Sequence, residues 1–178
     1  MKKHVFLLVI FLSSFQIYSQ KEYKSSEYYE MIEKHPFGSI SDKYTLIISG
    51  FFDDYGEFGG HEETIELIRI EKKLSAIVTI YDMCTQETNY AKPKVIKTET
   101  YLIDENKVLN FQVFMNELLK KSLEFSAPFH AGKVYSATLG YKNEDGNDKV
   151  TSQRIKISYH DSWSTWTEFQ KLKNIVEN

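Results

Sequence analysis

A chain of 178 residues with a net charge of −3, 42% hydrophobic and 26% charged, is long enough for one apolar core and too short for two full-sized domains. Its mild acidity, with no block of Lys or Arg, matches a phosphate backbone poorly and argues against nucleic acid as a partner. The single cysteine, Cys84, excludes an internal disulfide framework; it reads as a small buried hydrophobe, the alternative being a reactive thiol.

Met1-Lys2-Lys3-His4 is a short basic start, Val5 to Leu12 an unbroken apolar run, and the stretch to Ser19-Gln20 a more polar tail. That order is the layout of a secretory signal peptide, residues 1–19, cleaved after Ser19. An apolar run of 8 residues falls far short of the ~20 that a spanning helix needs. The sequence therefore predicts an exported protein, periplasmic or secreted, with no membrane span after cleavage. It also predicts no lipid anchor, because Cys84 is nowhere near the cleavage point. Loss of Lys2 and Lys3 with the leader would take the net charge from −3 to −5.

Residues 20–42 read as an N-terminal segment holding a short helix. Tyr28, Met31 and Ile32 fall at helical spacing, Ser26 offers an N-cap, and His35-Pro36 ends the run. Residues 43–178 read as a single α+β domain. Tyr44 to Phe52 is a strand with Leu46, Ile48 and Phe52 on one face and Ile47 and Phe51 on the other, apolar on both sides and so central. Thr64 to Glu71 and Leu74 to Tyr81 form a hairpin whose Lys72-Lys73 turn lacks Asn-Gly or Asp-Gly, which suggests a bulged or longer turn. Val95 to Ile103 alternates as a further strand.

Asp104-Glu105 opens a helix over 105–122, with Val108, Phe111, Met115, Leu118 and Leu119 on one face and Val113 and Phe114 widening it. Val134 to Tyr141 and Val150 to His160 flank Asp145-Gly146, the strongest hairpin signal in the chain. Thr165-Trp166-Thr167-Glu168 has the form of a capping box opening a helix over 165–176, with Trp166, Phe169, Leu172, Lys173 and Val176 on one stripe. Hairpins without βαβ alternation predict one antiparallel sheet of five or six strands with two helices packed on it.

Chemistry concentrates in Gly50 to Glu63, where 14 residues hold four glycines, five carboxylates, three phenylalanines, a tyrosine and a histidine. Asp53, Asp54, Glu57, His61 and Glu62 could ligate a divalent metal, which would activate a water for hydrolysis. Their spacing matches no metal motif. The plainer alternative is a long connection whose glycines relax the backbone and whose aromatics fold back onto the sheet. Phe52, Tyr55 and Phe58 from this stretch, with Trp163, are the candidate contacts to a ligand or partner.

Other letters carry less. Asn143 to Asp148 lacks the glycine position and closing Glu of a calcium loop and reads as a turn. His160-Asp161-Ser162 are neighbours in sequence, which a convergent triad is not. Trp163 and Trp166 could stack on a sugar, although a Trp opening an amphipathic helix is more often a core anchor. The leading expectation is an exported, non-catalytic binding or interaction protein without a cofactor, its partner a protein or a small extracellular ligand. The alternatives are a metal-dependent hydrolase using the acidic stretch, or an inhibitor or immunity-type protein.

Overall fold

The computed structural model describes residues 37–38, 40–41, 44–54, 60–71, 73–82, 93–124, 132–142, 150–163 and 165–178. The expected leader, the helix expected between 21 and 35, Cys84 and the Asp145-Gly146 turn lie outside these residues.

The elements are β1 (Tyr44–Phe52), β2 (His61–Ile70), β3 (Lys73–Asp82), β4 (Lys94–Leu102), α1 (Glu105–Ser122), β5 (Lys133–Lys142), β6 (Val150–Asp161) and α2 (Glu168–Glu177). Six strands form one sheet in the order β4-β3-β2-β1-β5-β6, each neighbouring pair antiparallel. Among the described residues this is the expected α+β arrangement with two helices. β1 holds the centre, as its two apolar faces require: β2 pairs on one side, and β5 on the other after α1.

The β2–β3 turn corrects the expectation. Ile70 pairs directly with Lys73, so only two residues intervene, and Glu71 takes the left-handed conformation at φ 49° that Asn or Gly more often supplies. No bulge or longer loop is needed.

α1 begins as its sequence predicts. Asp104 lies in extended backbone and its Oδ1 accepts from the Lys107 amide at 2.8 Å, capping the first turn. Val108, Phe111, Phe114 and Leu118 are buried, whereas Val113 and Leu119, expected on the packed face, are 55% and 45% exposed. Among the described elements the helix rests mainly on β6, α2 and β5, and that seat is narrower than the apolar surface α1 carries.

The second helix starts later than predicted. Its N-cap is Thr167, which makes no side-chain capping bond, so the capping box does not form. Asp161, 1% exposed at the end of β6, accepts from the Trp166 amide at 2.7 Å and ties that segment to the end of the strand. Phe169, Leu172, Lys173 and Val176 form the buried stripe the spacing predicts. Lys107 Nζ donates to Val176 O at 3.1 Å, placing a cation on the carbonyl end of α2.

The core lies between the helices and one face of the sheet. Gly50 is flanked by Glu63 and Tyr135 in the register, and a Cβ there would stand 3.2 Å from Phe169 Cδ1. The missing side chain lets the Phe169 ring lie close to the strand, 5.9 Å from both Phe52 and Tyr135. Trp166 packs edge-on against Tyr135 at 4.8 Å and Tyr159 at 5.6 Å, and tilts over Phe114 at 5.5 Å. On the opposite face a row of hydroxyl residues crosses all six strands, Thr98, Thr79, Thr64, Ser49, Ser136 and Ser158 in register. Ser49 and Ser136 share a hydrogen bond at 2.9 Å, and Thr98 donates to Thr79 at 3.4 Å.

Candidate functional site

One end of the sheet gathers the chemistry-bearing residues, because the close of β1, the opening of β2, the opening of β5 and the close of β6 all meet there. Gly60 allows the chain to return. A Cβ at this position would lie 1.7 Å from the Phe52 carbonyl oxygen, so only glycine lets the backbone fold back against the end of β1. That return sets His61 opposite Phe52, its ring stacked at 4.8 Å and 13°.

From His61 a line of polar side chains runs into the protein. Its Nδ1 pairs with the Asp54 carboxylate, and its Nε2 stands 3.7 Å from Glu63 Oε1. Glu63 is 6% exposed. Lys173 Nζ of α2 donates to Glu63 Oε1 at 2.6 Å, and Gln170 Nε2 to Oε2 at 3.3 Å. A buried carboxylate is tolerable only with this degree of pairing. The pair joins β2 to the last helix across 110 positions of sequence.

The other acids leave this line. Asp53 turns to β5, where its Oδ2 accepts from the Gly132 amide at 2.8 Å. Gly132 has φ +134°, and a Cβ there would meet His160 Nε2 at 2.8 Å and Asp161 O at 3.0 Å, so Asp53 and the β6 end close around a position fit for glycine. Glu62 alternates onto the opposite face between Phe51 and Tyr81. Burial pushes its carboxyl up from the ordinary range, and a hydrogen bond with Ser49 partly offsets this.

Of the expected ligands, then, the structure brings Asp54 and His61 together and sends Asp53 and Glu62 elsewhere. Among the described residues, no group of three or more His, Cys, Asp or Glu side chains could hold a metal ion. Glu57, Tyr55 and Phe58 lie outside the described residues. Phe52, a candidate contact, is 5% exposed and belongs to the core, whereas Trp163 is 79% exposed on the turn after β6. Asp161 of the His160-Asp161-Ser162 run serves the Trp166 amide. Lys133 lies with its Nζ 5.7 Å from the Phe52 ring centre at the same end.

Sequence reasoning did not find the Glu63–Lys173–Gln170 contact. One sign was present: a lysine on an otherwise apolar helical stripe needs a buried acid to meet it. No helix among the described residues is long and apolar enough to cross a membrane. No protein-family model matches the chain, and neither does any curated protein or solved structure.

Proposed function

We propose that the protein is an exported, non-catalytic binding or interaction protein whose contact surface lies at the Trp163 end of the sheet. Trp163 carries this reading. It is 79% exposed on a turn whose preceding residue, Asp161 two positions back, is 1% exposed and bonded to the Trp166 amide. A large aromatic held out on a rigid base contributes contact area at low entropic cost, and such residues dominate binding energy where partners meet. The described acids nearby support the reading too. Asp53, Asp54 and Glu63 already have protein partners, so their placement follows from the architecture.

A metal-dependent hydrolase is the second reading, favoured by His61 standing between the Asp54 and Glu63 carboxylates. The two separate by experiment. Cross-linking in the exported fraction should yield one partner with the wild-type protein, with recovery reduced on the order of ten-fold or more in Trp163→Ala at unchanged melting temperature. Turnover of an ester, phosphate or glycoside in the presence of Ca²⁺, Zn²⁺ or Mn²⁺, lost in His61→Ala, contradicts the binding reading.

A further inference from the structure

Among the described residues, β4 is the outer strand on its side of the sheet and pairs with β3 alone. It is exposed along almost its whole length, showing Val95 at 53%, Ile96 at 61% and Leu102 at 61%. An outer strand presents unpaired N–H and C=O groups, which natural proteins guard with charge, a bulge or a partner. The Ile103 amide donates to Leu74 O at 3.0 Å. By the two-residue alternation of an antiparallel ladder, Lys97, Glu99 and Tyr101 aim their backbone groups at β3, while Thr98, Thr100 and Leu102 aim theirs outward. A bulge between Ile80 and Tyr81 of the β3 ladder interrupts the run at Ile96, and Lys97 to Leu102 stays regular.

We propose that β4 pairs antiparallel with β4 of a second copy of this chain, about a two-fold axis through Thr98. The charges choose both the partner and the register. Lys97 and Glu99 flank Thr98 on one face, their Nζ and Oε2 2.8 Å apart. A two-fold through Thr98 sets Lys97 opposite Glu99 of the second copy, and Glu99 opposite its Lys97, so both edge charges meet their opposites. Shifting the axis to Glu99 sets carboxylate against carboxylate, and shifting it to Thr100 leaves Lys97 facing Ile103. Opposite charges across a strand pair stabilise it and like charges destabilise it, so this edge discriminates against slipped pairings. A second copy supplies the reversed charges by symmetry alone, and the contact closes after one step. Thr98 is also the outermost member of the hydroxyl row on the opposite face, so the row passes across the axis from Thr98 to Thr98.

Sedimentation velocity of the purified protein over a wide concentration range tests this. The expected result is a reversible monomer–dimer equilibrium. Lys97→Glu and Glu99→Lys should each weaken it about ten-fold or more, with the exchanged pair Lys97→Glu/Glu99→Lys restoring it. A monomer at every concentration overturns the proposal, as does a dimer indifferent to both reversals. Growth beyond the dimer overturns it too, since joining β4 to β6 of another copy leaves an open chain. Thr98→Cys in a Cys84→Ser background checks the axis independently. Residues facing each other across an antiparallel pair lie within disulfide reach, so oxidation should give a covalent dimer, and a dimer that does not cross-link overturns the register.

Discussion

Where β1 passes between its neighbours, two adjacent registers of the same three strands carry opposite solutions. Glu63, Gly50 and Tyr135 point at the helices; one residue along, Thr64, Ser49 and Ser136 point away. The first row takes a charge and a phenol into the core, each answered by a partner from or beside α2: Lys173 for Glu63, and the Trp166 carbonyl, which accepts from Tyr135 at 3.2 Å. In the second row Ser49 and Ser136 bond to each other from strand to strand, and further along the same line of hydroxyls Thr98 bonds to Thr79. Polar residues on the helix-covered face therefore depend on long-range assembly, and those on the other face depend on register alone. Disrupting the helices should cost the first row far more than the second.

The largest effect on that comparison should come from Phe169→Ala. The ring is fully buried between α2 and the sheet, and its removal should cost about 3–5 kcal/mol in urea unfolding. Tyr135 gives the next. Burial, followed by the nearby Asp161 carboxylate, pushes its hydroxyl up from 10 to about 12. Below pH 10 both folded and unfolded chains keep the proton and stability is undiminished. Between pH 10 and 12 the unfolded chain releases it while the folded one holds it, so stability should fall by about 2–3 kcal/mol. Thermal melts across that window should show the decline, and Tyr135→Phe should flatten it. The smallest belongs to the open row: Ser49→Ala removes the half-buried hydroxyl that bonds Ser136 and Glu62 and should cost about 1 kcal/mol by the same urea measurement.

Strand alternation made the sheet legible, because period-two patterning and paired turn residues are local signals. The same patterning showed β1 apolar on both faces without saying which face the helices would cover; the large rings of Phe52, Tyr135 and Phe169 decide that in three dimensions. Local signals also misled. Thr165 to Glu168 has capping-box letters, yet Asp161 reaches the Trp166 amide first, and the helix waits until Glu168. Leu119 matched the helical stripe of α1 but lies beyond what β5, β6 and α2 can cover. The acidic stretch was legible as a concentration of chemistry. Its dispersal was not, because the partners of Asp53 and Glu63 stand 79 and 110 positions away.

The buried acid of the stretch thus fastens the last helix to the sheet. A double-mutant cycle in urea unfolding, using Glu63→Gln, Lys173→Met and both together, measures it most directly. Each single change strands one buried polar partner and should cost about 3–5 kcal/mol, and the double variant should lose clearly less than the two added together. Single variants as stable as the parent, or losses that simply add, would contradict the claim.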